Sequence, residues 1–196
     1  AGGMDIYSFE LPEAARPQAV TYLKARITDA RTGAPLVAAL DIARLPEGAL
    51  MLQAFAKSDG TVLACLPADK SYAVNINKEG YLFFSENVDL SEMRSAAAPI
   101  LLDVRLIPIA KPKDQPAESA APVVLRNIFF EFGSAILKPE SYAELERLAN
   151  LLHNAPDLRI QINGHTDNVG DSAANLRLSE ARALAVKDFL IGKGIA

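Results

Sequence analysis

Short apolar segments alternate with turn residues through the first half of the chain. Many of these segments place an apolar side chain at every second position, as Leu23, Ala25 and Ile27 do, and this period is typical of half-buried β-strands. Turn sequences such as Ser58-Asp59-Gly60 separate the segments. About seven strands, with a turn roughly every 8–12 residues, predict an all-β antiparallel sandwich, which we assign to residues 20–109.

Two of the predicted strands carry features of chemical interest. The strand at 61–66 contains Cys65, the only cysteine of the chain, and its apolar neighbours predict that the thiol is buried. Because Cys65 has no second cysteine to pair with, it gives no indication of the redox compartment. The strand at 81–85 contains the aromatic run from Tyr81 to Phe84, which we expect to lie in the core.

The composition changes at residues 110–122, where three prolines occur and large apolar side chains are absent. Such a segment buries too little surface to offset the entropy cost of ordering it, so we predict a linker between two domains. The net charge of −4 is spread over both sides of this linker, without the basic patch of a nucleic-acid-binding protein. The longest apolar runs fall far short of the 18 or so residues of a membrane helix, so no membrane span is expected.

Beyond the linker, strands and helices are predicted to alternate. Residues 123–132 predict a strand with its phenylalanines in the core, and the alternation at 158–162 predicts a second strand. Residues 138–154 predict a helix with Pro139 in its first turn, and residues 172–191 predict a longer helix that stops at Gly192. The order strand, helix, strand, helix indicates an α/β domain over residues 123–196.

The segment between the second predicted strand and the second helix carries polar residues that suggest a binding site. Gly164 and Gly170 allow tight turns that expose backbone N–H groups at the start of the helix, where an anionic group is favoured. Within the helix, Asn175, Ser179 and Arg182 are spaced by four and three residues and share one stripe of its surface. A carboxylate in the loop and the Arg182 guanidinium could therefore bind one small ligand.

Each of these side chains also has a simpler interpretation. Asp167 in the loop could be a turn residue or a helix N-cap, and the polar helix residues could be solvated surface. Arg182 could form a surface ion pair, but none of the residues three or four positions away is acidic, which argues against helical pairing. His165 and Asp167 form a His-x-Asp sequence, yet the only other histidine, His153, lacks ligand spacing, so a metal site is not favoured.

A longer motif joins the loop to the second helix. Residues 162–170 read Ile-Asn-Gly-His-Thr-Asp-Asn-Val-Gly, and the helix after them carries Asn175, Leu178, Ser179, Arg182, Ala183, Val186 and Leu190. This pattern resembles the peptidoglycan-binding domain of the OmpA family, and the resemblance covers about residues 123–196.

The resemblance implies non-covalent binding of the diaminopimelate in the stem peptide of peptidoglycan. It implies that Asp167 and Arg182 hold the amine and the carboxylate of that side chain, and that Asn175 and Thr166 line the same pocket. The further site candidates that it gives are Gly164, His165, Ser179 and Glu131. The family usually continues through further strands, so we expect the domain to be incomplete at its C-terminus.

The first half of the chain carries two further resemblances. Turn residues at 32–36, 58–60 and 78–81 are similar to those of the carboxypeptidase-regulatory-like sandwich, a family name that implies no peptidase activity here. Residues 2–12 look similar to the final strand of a blade in periplasmic β-propellers, and we assign residues 1–19 to such a strand. Because the chain opens at Ala1 without a leader or a lipid-anchor cysteine, we expect it to be a piece of a longer protein.

The predicted function is binding rather than catalysis. No Ser-His-Asp or Cys-His set can be assembled, and no cofactor is implied. We expect a periplasmic protein of a Gram-negative bacterium, associated with the outer membrane, whose partner is peptidoglycan. The alternative is a scaffold for other proteins of an outer-membrane or secretion assembly, in which wall binding only fixes the location. A sugar-binding sandwich would need an aromatic platform, but Tyr22, Tyr72 and Tyr81 are scattered over the strands.

Overall fold

A computed structural model of the chain describes residues 9–12, 19–92, 99–109, 122–166, 169 and 171–195. Most of the propeller-like segment and almost all of the linker at 110–122 lie outside these residues. The described part contains a β-sandwich followed by a smaller unit built on two helices.

Seven strands form the sandwich, as predicted. They are β1 (Val20–Asp29), β2 (Ala39–Leu45), β3 (Ala49–Phe55), β4 (Thr61–Pro67), β5 (Ser71–Asn77), β6 (Phe84–Asp89) and β7 (Ile100–Leu106). One sheet has the order β4-β1-β7 and the other has the order β3-β2-β5-β6. The alternation along β1 buries Leu23, Ala25 and Ile27 completely, because every second side chain of a strand points into the space between the sheets.

The sandwich is not wholly antiparallel. β1 and β7 run parallel, with Leu23 opposite Ile100 and Asp29 opposite Leu106, whereas the other four strand pairs are antiparallel. β1 and β7 are the first and last strands, so no hairpin turn fixes their relative direction. The prediction of an all-antiparallel sandwich is therefore wrong at this pair.

Two local predictions in the sandwich are also wrong. Cys65 is exposed, because it occupies an outward position of β4 between the buried residues Ala64 and Leu66. The strand predicted at 81–85 begins only at Phe84, since Tyr81 makes an isolated bridge instead of joining the ladder. The strand predicted at 61–66 does form as β4, whereas the burial of Cys65 and the start of the strand predicted at 81–85 were wrong.

Both predicted helices form. A single 3-10 turn, Pro139–Ser141, leads into α1 (Tyr142–Asn154), and α2 covers Ser172–Gly192. Within the described residues, neither helix has the combination of length and apolar composition needed to cross a membrane.

The two helices share a core of their own. Leu145, Leu148 and Leu152 recur at three and four residues along α1, and all three are buried, as expected for the inner stripe of an amphipathic helix. They belong to one cluster with Val186 and Leu190 of α2, and this cluster is separate from the core of the sandwich.

Neither strand predicted for the second unit forms. Residues 123–132 contribute one isolated bridge, from Phe130 to Leu137, and residues 158–162 contain no strand. Two short extended segments are too few for a stable sheet, so their apolar side chains pack on the helical core instead, as Leu158 does. Phe132, which was expected in the core, is fully exposed. The α/β prediction is therefore wrong in the described residues, where two helices are covered by extended chain.

Candidate functional site

The second helix begins at a capped N-terminus. The carboxylate of Asp171 accepts a hydrogen bond of 2.7 Å from the backbone N–H of Ala174, and Asp171 itself has extended backbone angles. This is the geometry of an N-cap, which satisfies one of the free N–H groups of the first turn. The capping role of Asp171 was not predicted from the sequence, although an Asp directly before a run of good helix formers is its usual signal.

Arg182 is the charged side chain on the stripe predicted for this helix. Its Nε donates to the carbonyl oxygen of Ser134 at 3.1 Å, and its guanidinium carbon lies 5.0 Å from the ring centroid of Phe130. The side chain is half-buried, and no acidic side chain of the described residues forms a salt bridge with it. The guanidinium is therefore fixed in orientation while its terminal nitrogens keep their donor capacity.

A tight turn presents the Ser134 carbonyl to Arg182. The turn is closed by the bridge between Phe130 and Leu137 and by a bond of 2.9 Å from the N–H of Glu131 to the carbonyl of Ile136. Gly133 has a positive φ of 62°, which a glycine adopts without strain. Glu131, one of the predicted site residues, is exposed in this same turn, so the structure places it near the anchor of Arg182.

The loop of the motif reaches the second helix at Gly164. A Cβ built on Gly164 would overlap the backbone carbonyl of Ser179 and crowd the N–H of Ala183. The absence of a side chain on Gly164 therefore allows the loop backbone to lie directly against α2, one turn before Arg182. The hydroxyl of Ser179 donates to the carbonyl of Leu176 at 2.8 Å within the same helix, and the part of Ser179 that Gly164 approaches is its backbone carbonyl.

Asn175 connects the helix to the later part of the loop. Its Nδ2 donates to the carbonyl of Val169 at 3.0 Å. Among the earlier loop residues, Thr166 is half-buried and His165 is exposed. Asp167 lies outside the described residues, so its proposed pairing with Arg182 stays a prediction.

The comparisons with known proteins agree with the motif. Residues 129–196 match the model of the OmpA family. The chain therefore carries an OmpA-family domain. This confirms the resemblance for the second half of the chain, whereas the carboxypeptidase-regulatory-like and propeller resemblances of the first half stay predictions.

Several curated relatives share this OmpA-like domain. The chain is 44% identical over 92 residues to outer membrane protein A of Bordetella avium, which covers 45% of this chain and 47% of that protein. It is 36% identical over 70 residues to outer membrane porin F of Pseudomonas fluorescens, covering 36% of this chain and 22% of that protein. It is 44% identical over 69 residues to the peptidoglycan-binding protein ArfA of Mycobacterium tuberculosis, covering 35% of this chain and 21% of that protein. The chain thus spans less than half the length of each of these relatives.

Within the described residues, no group of three His, Cys, Asp or Glu side chains could hold a metal ion. His153 turns back onto its own helix, where its Nδ1 lies 2.9 Å from the carbonyl oxygen of Ala149. The arrangement around Arg182 is instead suited to holding an anionic group such as a carboxylate.

Proposed function

We propose that the OmpA-like domain binds peptidoglycan without covalent chemistry and holds the protein that contains it at the cell wall. The family match and the likeness to a relative named as a peptidoglycan-binding protein support this role. Two other relatives are named as outer-membrane proteins, and we propose the same envelope location for this chain, on the periplasmic side.

The proposed ligand group is the diaminopimelate of the stem peptide. Its free end carries an amine and a carboxylate, so it needs one negative and one positive partner. Asp167 supplies the negative charge and Arg182 the positive charge, while Thr166 and Asn175 border the same pocket. Arginine suits the carboxylate because its planar fork can donate two parallel hydrogen bonds.

The environment of Arg182 is the observation that carries this proposal. A half-buried cation is costly when nothing pairs with it, and the described residues give Arg182 a carbonyl and a ring but no counter-charge. The bond through Nε leaves the terminal nitrogens for a ligand. Because the side chain is already oriented, binding costs less conformational entropy than it would for a free surface arginine.

Co-sedimentation with purified diaminopimelate-type peptidoglycan tests the proposal. We expect the wild-type chain to pellet, and we expect Asp167→Ala and Arg182→Ala each to weaken binding about tenfold or more, since charge-assisted hydrogen bonds contribute about 1.5–3 kcal/mol each. Arg177→Ala is the matched control, because Arg177 lies exposed on the same helix. Retention of both site variants at wild-type affinity would show that this pocket does not bind the wall.

A further inference from the structure

The β-sandwich contributes a side chain to the core of the OmpA-like domain. Phe83, directly before β6, is 7% exposed and belongs to the cluster built by α1 and α2. Its neighbour Phe84, the first residue of β6, packs on the core of the sandwich instead. Adjacent residues of an extended chain point to opposite sides, so this pair inserts one aromatic ring into each of the two cores.

Phe83 is a large part of a small core. The buried apolar members of the helical cluster are three leucines and one alanine from α1, one valine and one leucine from α2, and Phe83, which is the bulkiest of them. Nine partly buried apolar side chains also pack against this cluster, but a unit with so few fully buried ones is marginal by itself. The ring supplied by the sandwich therefore matters more here than one residue would in a large core.

A buried polar contact accompanies Phe83. Asn127, which is 1% exposed, donates through Nδ2 to the hydroxyl of Ser85 at 2.7 Å and to the carbonyl of Glu86 at 3.3 Å. The same Nδ2 lies 3.3 Å from Oε2 of Glu144 on α1. Asn127 thereby links the sandwich to the first helix, and it covers part of the open edge of β6, one of the two edge strands of its sheet.

Two further features of the interface affect how strongly the two units are held together. The ion pair between Arg126 and Glu86, at 3.3 Å, involves an exposed arginine and contributes little. The second carboxylate oxygen of Glu144 is buried without a hydrogen-bond partner among the described residues, which opposes docking. Among the contacts of the described residues, burial of Phe83 and the bonds of Asn127 are therefore the main interactions that hold the two units together.

We propose that the β-sandwich acts as a structural partner of the OmpA-like domain, completing its core through Phe83 and fixing α1 through Asn127. The two units are then docked on each other and do not move independently. The inference concerns the stability of the helices and is independent of what the domain binds.

Hydrogen exchange of the full chain, read by mass spectrometry, tests this inference. We expect Phe83→Ala to speed amide exchange in α1 and α2 roughly tenfold or more, because a large-to-small change in a core destabilises the unit that the ring packs in. Phe84→Ala is the matched control, and it should speed exchange in the four-stranded sheet and leave the helices much less affected. Unchanged helix exchange in Phe83→Ala, or equal acceleration by both variants, would overturn the proposal.

A second variant tests the same interface from the side of the OmpA-like domain. Asn127→Ala removes the bonds to Ser85 and Glu86 of β6 and the bond to Glu144 of α1, and it should accelerate exchange in β6 and in α1 together. Asn150→Ala, at an exposed position of α1, should accelerate neither. If Phe83→Ala does not fold, this pair of variants still tests whether the two units dock on each other. Equal behaviour of the two asparagine variants would contradict docking through Asn127.

Discussion

The Nε of Arg182 donates a hydrogen bond of 3.1 Å to the carbonyl oxygen of Ser134, 48 residues earlier in the chain. This bond joins the second helix to the turn that precedes the first helix, and the ring of Phe130 lies beside the same guanidinium. The guanidinium that we propose as the ligand-binding group is thereby oriented before any ligand arrives, and such preorganisation reduces the entropy cost of recognition.

Arg182→Lys should weaken binding to peptidoglycan although it keeps the positive charge. Lysine has no Nε to bond with Ser134 in this geometry, and it cannot donate two parallel bonds to a carboxylate. We expect a loss of about tenfold in affinity, which corresponds to about 1.4 kcal/mol. Titration of the variant with soluble muropeptides measures this loss, and wild-type affinity would contradict the role of the guanidinium fork.

Gly164→Ala should disturb the loop. The added Cβ would overlap the Ser179 carbonyl, and overpacking of this kind costs about 1–3 kcal/mol. We expect a lower Tm and weaker peptidoglycan binding. Gly192→Ala is the matched control, because a Cβ at Gly192 meets nothing within 4 Å, so it should be neutral or slightly stabilising. Similar Tm values for the two variants would argue against the close approach of loop and helix.

Asp171→Ala should reduce stability by removing the N-cap of α2. Loss of such a cap costs about 0.5–2 kcal/mol, and urea unfolding followed by the helical circular dichroism signal measures it. Asp188→Ala, at an exposed position of the same helix, serves as the control and should change the free energy of unfolding much less. A cap role for Asp171 would be excluded if both variants unfolded at the same urea concentration.

The stability of the sandwich should depend on the ionisation of Asp29. The backbone N–H of Thr32 and the hydroxyl of Tyr81 hydrogen-bond its carboxylate and lower its pKa from 3.8 to about 2. A depressed pKa in the folded state means that the stabilisation is complete above pH 3.8 and is lost as the pH falls through about 2.

The comparison of wild type with Asp29→Asn isolates this contribution. The difference in Tm between the two proteins should be largest above pH 4 or so and should shrink as the pH approaches the folded pKa of about 2. Thermal unfolding recorded from neutral to acid pH measures it. A difference that does not change over this range would show that the carboxylate charge contributes nothing.

The elements that could be predicted from the sequence are those with local signals. The strands of the sandwich follow from a period of two, as in β1, and the helices follow from leucines spaced by three and four in α1. The parallel pairing of β1 with β7 and the exposure of Cys65 depend on which strands meet and which face turns outward. Neither property is contained in the pattern of a single strand.

The same distinction applies to the second unit and its site. The motif around Arg182 predicted the OmpA-like domain correctly. The extended segments at 123–132 and 158–162 have the pattern of strands, but strand formation requires a partner, and they pack on helices instead. The bond from Arg182 to Ser134 and the insertion of Phe83 join distant parts of the chain. The spacing of residues along the sequence does not predict such contacts.

The affinity for diaminopimelate-containing muropeptides relative to lysine-containing ones tests the central claim most directly. Lysine lacks the second carboxylate, so the wild-type chain should prefer the diaminopimelate form by about tenfold or more, and Arg182→Ala should abolish that preference while Arg177→Ala keeps it. Equal affinity of the wild-type chain for both forms, or a preference that survives Arg182→Ala, would contradict the account.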